Sequence, residues 1–178
     1  MEMIRVTQPL SVYADFSHIP NDVLQNAARR GTAVHSACAA YADGLFIPPL
    51  EDDVAGFFDS FTAWFDMYVE RVYFVEEELA DPTLGFYGHP DIGCRLVDGR
   101  NMIIDYKTPV AASKTWAPQT SAYLHLARLN RSEPYDGSMV LQPRKDGKPA
   151  KATTYQYHNE AFSIFLSALN AYRYFKVS

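Results

Sequence analysis

The chain is poor in cysteine. It has two, Cys38 and Cys94, among 178 residues. Neither belongs to a C-x-x-C pair, which argues against a disulfide framework and against a four-cysteine zinc or iron–sulfur site. A reducing, cytoplasmic setting is the expectation for such a chain. Long apolar runs are also missing. No uninterrupted stretch approaches the ~20 residues of a membrane-spanning helix, so no membrane association is expected. The start, Met1-Glu-Met-Ile-Arg-Val6, has no basic region followed by an apolar run, so no signal peptide is expected. Positive charge is in deficit: 16 Lys and Arg face 21 Asp and Glu, for a net charge of −5. That balance disfavours tight, indiscriminate nucleic-acid binding. Repeats, low-complexity tracts and interdomain linkers are absent, and residues 1–178 are expected to form one domain.

What is present is core material. Apolar residues make up 48% of the chain and aromatics 14%, which is enough for a substantial interior. The charges are unevenly spread. Residues 43–81 carry eleven Asp or Glu against Arg71 alone. Residues 128–151 carry Arg128, Arg131, Arg144, Lys145, Lys148 and Lys151 against three acids. On charge alone, ordinary solvated surfaces are the first expectation; the alternative is an acidic side and a basic side, the basic one suited to a phosphate backbone.

Residues 1–20 read as an extended lead-in. A helix starts at Asn21-Asp22 after Pro20. Val23, Leu24, Ala27 and Ala28 keep helical spacing. Arg30-Gly31-Thr32 predicts an interruption, with Thr32 as a second cap. Val34, Ala37, Cys38 and Tyr41 continue the stripe, His35 lies beside it, and Gly44 closes the segment. Residues 50–68 form a second helix with Phe57, Phe61, Trp64, Phe65 and Tyr68 on its core face. The period then changes. Residues 69–79, 86–97 and 101–108 read as antiparallel strands, with turns at Asp81-Pro82 and Asp98-Gly99. Residues 119–129 form a helix preceded by Pro118, with Ala122, Leu126 and Leu129 inward. Residues 138–143 and 152–157 pair around Asp146-Gly147. A final helix starts at His158-Asn159 and buries Phe162, Phe165, Leu166, Leu169, Tyr172 and Phe175. The sum predicts an α/β (α+β) domain with a mixed central sheet flanked by helices.

The chemistry concentrates between Gly88 and Thr108. A strand has a side-chain period of two, so Asp105 and Lys107 share a face. A hairpin through Asp98-Gly99 brings Asp91 to the same point. Two carboxylates and an ammonium gathered on a sheet are costly unless something polar, such as a metal ion, binds there. Asp91 and Asp105 suit magnesium or manganese, and the carbonyl of Tyr106 is a further candidate ligand. Lys107 can orient or deprotonate a water, or offset phosphate charge. Glu76 or Glu78 would complete the acidic cluster; alternation puts those two on one face and Glu77 on the other. Gln119 and Tyr123 are four apart and share a helix face. Arg30, Lys114, Arg144 and Lys145 are candidate DNA contacts. A zinc site from His35, His89 and Cys94 matches no standard ligand spacing.

Taken in order, Arg30-Gly-Thr-Ala-Val-His35, Val75-Glu76, Gly88-His-Pro-Asp91, Ile104-Asp-Tyr-Lys-Thr108 and Gln119-x-x-x-Tyr123 resemble the RecB-like branch of the PD-(D/E)XK nuclease superfamily. The resemblance spans about residues 15–175 and is nearest in flavour to small stand-alone exonuclease-like proteins of phages and prophages. It implies a restriction-endonuclease-like core with about five strands. It implies a metal-dependent deoxyribonuclease, an exonuclease above all, acting in DNA recombination or repair with one or two Mg²⁺ or Mn²⁺ ions. His35, Asp91, Asp105 and Glu76 would then be metal ligands and Lys107 the catalytic lysine. Gln119 and Tyr123 would be the helix motif beside the active site and the DNA. The iron–sulfur cysteines and helicase motifs of larger members are absent. At this compact size, a toroidal homo-oligomer or a recombination partner would supply more grip on DNA. The alternative is a catalytically silent nuclease-fold module that binds DNA or protein.

Overall fold

The structure, a computed structural model, describes residues 2–14 and 19–176. Residues 15–18 of the expected lead-in lie outside that range. The rest of the lead-in is not simply extended: it holds strand β1, Ile4–Arg5, and a short helix α1, Thr7–Ser11.

The first long helix, α2, runs unbroken over Asn21–Ala42. The expected interruption at Arg30-Gly31-Thr32 does not occur. Gly31 sits within the helix facing Thr108: a Cβ there would lie 3.5 Å from Thr108 Oγ1, an ordinary van der Waals contact, so the close approach does not itself require glycine. The helix ends as expected at Gly44, which has φ +68°. Gly44 N–H donates to the Tyr41 carbonyl at 3.0 Å and Leu45 N–H to the Ala40 carbonyl at 2.8 Å, the paired bonds of a Schellman cap. Helix α3, Asp52–Tyr68, buries Phe57, Phe61 and Trp64, while Tyr68 is exposed at the edge.

The strands are shorter than the apolar runs suggest. Strand β2 covers Val69–Val75 and β3 covers Leu79–Asp81. The run 86–97 is two strands: β4, Phe86–Gly88, and β5, Ile92–Leu96, separated at His89-Pro90-Asp91. Pro90 cannot donate to a ladder, and the chain changes sheets there. Strand β6 is Asn101–Tyr106. Helix α4, Trp116–Asn130, leads to β7, Gly137–Gln142. Strand β8, Lys151–Thr154, and helix α5, His158–Lys176, complete the chain.

The main sheet has the order β2-β5-β6-β7-β8. Only β6 and β7 are parallel, joined by the α4 crossover; the other pairs are antiparallel. Strand β4 sits between β1 and β3 in a separate three-stranded sheet. The five-stranded mixed sheet flanked by helices is therefore present, with a second sheet that sequence pattern does not announce.

Alternation along β6 sorts the core. Met102, Ile104 and Tyr106 face one cluster with Val34 and Cys38 of α2 and Phe57, Phe61 and Trp64 of α3. Ile103 faces the other, built with Leu124 and Leu126 of α4 and Phe165 and Leu169 of α5. Two expected inward residues are exposed: Leu129 at the frayed end of α4 and Phe175 near the end of α5. Both lie where a helix runs past the sheet it covers. No helix among the described residues is long and apolar enough to cross a membrane.

The acidic and basic segments are neighbours and not opposite sides. A Cβ at Gly56 of α3 would lie 2.0 Å from the Lys145 carbonyl oxygen. Arg144 N–H also donates to Ser60 Oγ at 2.7 Å. Glycine at position 56 lets the acidic helix rest directly against the basic turn.

Candidate active site

The β5–β6 hairpin builds the centre. Its turn has Gly99 at φ +90°, a backbone state that favours glycine, as the Asp98-Gly99 pattern predicts. Ile92 pairs with Ile104, so Asp91 enters the sheet opposite Asp105. Both carboxylates are buried. Asp91 Oδ1 lies 3.0 Å from His35 Nδ1, and Asp91 Oδ2 accepts the N–H of Tyr106. Asp105 Oδ1 accepts from Gln119 Nε2 at 3.1 Å, and Gln119 Nε2 also reaches Tyr123 Oη at 3.3 Å. Lys107 Nζ is 2.6 Å from Asp105 Oδ2. That contact is a charge pair without hydrogen-bond alignment, so Oδ2 is buried with no directed hydrogen bond.

Four segments thus meet at one point: His35 from α2, Asp91 before β5, Asp105 and Lys107 at the end of β6, and Gln119 and Tyr123 from α4. The pair four apart on α4 shares a face, as helical geometry requires. Tyr106 points its ring the other way. It packs edge-on against His35 at 5.7 Å and against Phe61 at 5.2 Å between ring centres, which fixes the height of the His35 imidazole.

The electrostatics follow from burial. Burial pushes the Asp105 carboxyl above its ordinary range; Lys107 and His35 pull it back, and Asp91 adds to the rise. For His35, burial favours the neutral ring, but the charge and hydrogen bond of Asp91, with the charge of Asp105, outweigh it and raise its pKa. The site holds more negative charge than its lysine and histidine comfortably neutralise.

The glutamates separate cleanly. Strand β2 ends at Val75, so the expected alternation does not extend through residues 76–78. Glu76 has φ +47°, a left-handed turn that costs a non-glycine residue roughly 1 kcal/mol. Its N–H donates to the Asp91 carbonyl at 3.0 Å, and it lines an open hollow with Thr32 and His35. Glu77 pairs with Arg131 at 2.8 Å and Glu78 with His89 at 3.3 Å. Glu76, and not Glu78, is the one beside His35.

A groove of about 550 Å³ adjoins the site. Arg30, Arg144, Lys145 and Lys151 line it, with Thr108 next to Lys107. Arg30 stacks over Phe57 at 5.8 Å, and its Nε is buried with no hydrogen-bond partner among the described residues. Lys114 is not part of this groove. It borders a different, apolar one with Tyr13, Pro118 and Ile164, because the loop after β6 turns toward α5. Sequence reasoning missed the seam between Gly31 and Thr108; the signal available was a glycine inside an otherwise helical pattern.

The fit to a metal ion is one of kind more than of closure. Among the described residues, no group of three or more His, Cys, Asp or Glu side chains is gathered to hold an ion. Protein partners take three of the four carboxylate oxygens by hydrogen bonds, and Lys107 faces the fourth, Asp105 Oδ2. Hard oxygen donors and a buried oxygen without a directed bond suit a divalent cation of the magnesium type. Zinc is not suited: His35 faces Asp91, His89 faces Glu78, and Cys94 is fully buried, its thiol pushed up to about 12 by burial.

No family model matches the chain, and no curated protein matches it.

Proposed function

We propose that the chain is a metal-dependent deoxyribonuclease that hydrolyses phosphodiester bonds, of exonuclease type. The observation that carries this reading is the buried Asp91–Asp105 pair with Lys107 2.6 Å from Asp105, beside a groove lined by Arg30, Arg144 and Lys145. Asp91, Asp105 and the Tyr106 carbonyl would hold Mg²⁺ or Mn²⁺, with His35 and Glu76 at the margin. When bound, such an ion supplies Lewis-acid activation of water and neutralises phosphoryl charge.

The chain's own residues do the rest. Gln119 fixes the Asp105 carboxylate, and Tyr123 holds Gln119. Lys107 carries the positive charge nearest the reacting phosphate and orients the attacking water. His35 fixes Asp91 from the opposite side of the sheet. The groove residues bind phosphates away from the cut, which positions the strand without reading its sequence. A second copy or a recombination partner extends that grip, and recombination or repair is the setting that such degradation serves.

The test is digestion of end-labelled linear DNA and closed circular DNA with manganese. Degradation of linear DNA alone is expected, and it must vanish in Asp105→Ala. Cutting of circles keeps the nuclease and removes the exonuclease label. A second reading, a silent nuclease-fold module that binds DNA or protein, fits the finding that no three-ligand cluster is gathered among the described residues. Metal-independent DNA binding without turnover would select it.

A further inference from the structure

Helix α4 has a second polar face. Gln119 and Tyr123 face the carboxylates, whereas Ser121, His125 and Arg128 follow at i, i+4 and i+7 on another side. Two residues is roughly 200° around an α-helix, so the two sets look in nearly opposite directions. Ser121, His125 and Arg128 border a cavity of about 100 Å³ with His158 and Asn159 from the start of α5.

We propose that this cavity binds an oxyanion of the phosphate class. Ser121 is 2% exposed, and its Oγ has no hydrogen-bond partner among the described residues. A buried hydroxyl left unpaired costs about 1–3 kcal/mol unless a ligand or water satisfies it. Arg128 is a cation without a counterion. Its Nε and Nη2 donate to the Tyr135 carbonyl at 3.0 and 2.8 Å, and among the described residues no carboxylate lies within ion-pairing distance. Those bonds, with a longer one from Nη2 to the Asp136 carbonyl at 3.3 Å, aim the guanidinium, and Nη1 makes no hydrogen bond among the described residues. The first-turn N–H groups of α5, a 19-residue helix, have no partner within the helix and favour an anion.

The histidines complete the wall. His125 Nε2 lies 2.8 Å from Asp81 Oδ2, and its ring stacks on Phe162 at 4.4 Å between centres. Asp81 is already occupied, by His125 and by Leu84 N–H at 2.9 Å. The other acids nearby are exposed Glu160, in the first turn of α5, and Asp136, whose carboxylate is engaged by Asn101 N–H at 2.8 Å. His158 is half-buried beside Arg128, and both facts lower its pKa, so a neighbouring anion would relieve its second cause. The volume equals about three waters at ~30 Å³ each, room for one tetrahedral oxyanion and too little for a nucleoside.

The site stands whether or not the carboxylate cluster is a nuclease centre. Its test is run in EDTA to keep the two apart. Inorganic phosphate, a deoxynucleoside 5′-monophosphate and a 5′-phosphorylated oligonucleotide are titrated at constant ionic strength, against chloride. Thermal melting and the ring resonances of His125 and His158 are followed. Saturable stabilisation and ring shifts by phosphate are expected. Ser121→Ala should fold at least as well as the wild type without phosphate and bind phosphate at least fivefold more weakly. Arg128→Gln should lose the response. Preference for the phosphorylated oligonucleotide over its unphosphorylated form identifies a chain end as the source, and response to the small phosphates alone identifies a free one. A response no larger than that to chloride, or an unchanged affinity in Ser121→Ala, overturns the proposal.

Discussion

Two Asp–His pairs sit among the described residues, and they are built alike. Asp91 accepts from a backbone N–H, that of Tyr106, and faces His35 at 3.0 Å. Asp81 accepts from Leu84 N–H and faces His125 at 2.8 Å. Their surroundings differ in sign. The first pair has a second buried carboxylate, Asp105, beside it, with Lys107 against that carboxylate. The second has Arg128, His158 and an unpaired Ser121 hydroxyl around it. The same local bond therefore anchors an acid-rich site on one face of α4 and a base-rich one on the other. A pair of residues does not define a site; the charge left over after pairing does.

The largest expected effect breaks the first site. Asp105→Ala and Lys107→Ala should each reduce DNA degradation by on the order of 10³-fold, because each removes charge placed at the reacting phosphate. Far-UV circular dichroism should be unchanged. Full activity in Lys107→Ala would remove the catalytic reading of this lysine. Metal stabilisation comes next. At a hundredfold excess over its dissociation constant, manganese should stabilise the wild type by about 2.7 kcal/mol. Asp105→Asn should abolish that rise while leaving the response to phosphate intact. If both responses disappear together, the two sites are not independent.

Gly88 and Gly93 sharpen the contrast between packing and chemistry. A Cβ at Gly93 would lie 2.2 Å from Phe74 Cε1, and one at Gly88 would lie 2.5 Å from Tyr123 Cε1. Each Gly→Ala change should cost about 1–3 kcal/mol by overpacking, read from denaturant midpoints. Only Gly88→Ala displaces the tyrosine that holds Gln119 on Asp105. It should lower the rate of DNA cleavage further than its stability loss explains, whereas Gly93→Ala should not.

Much of this was legible in sequence because period and turn chemistry are local. Asp98-Gly99 fixed the hairpin that faces Asp91 toward Asp105, and period two put Lys107 with Asp105. The Gln119/Tyr123 spacing found its face of α4. Non-local facts were hidden. Nothing local tells that β4 leaves the main sheet at Pro90, or that β2 ends in a left-handed Glu76. The Arg30-Gly31-Thr32 signal was misread as a break because glycine's weak helix propensity is local, whereas the packing of Val34 and Cys38 against α3 that carries the helix through it is not. The second polar face of α4 was passed over for a related reason. Its Ser121, His125 and Arg128 follow helical spacing, but Asp81 lies 44 residues from His125, and His158 lies 37 residues from Ser121 across the cavity.

The smallest effect separates the pairs by pH. Burial works to raise the Asp81 carboxyl, but the His125 hydrogen bond, the Leu84 N–H and the His125 charge outweigh it and hold it below 3.8. A depressed carboxyl stabilises the fold above its unfolded value and loses that contribution as pH falls through its folded value. His125→Ala should therefore cost roughly 1–2 kcal/mol at neutral pH, the worth of a hydrogen bond to a charged group. The difference from wild type should shrink as the solution is acidified below about pH 4. Asp105 runs in the opposite sense. Its carboxyl is raised, so the buried charge weakens the fold as pH climbs from its unfolded value of 3.8 through its folded one. Asp105→Asn should gain stability over wild type across that same climb, measured in metal-free buffer. Parallel pH profiles for the two variants would mean that the two carboxylates feel the same surroundings, and the opposed signs of the two sites would then be wrong.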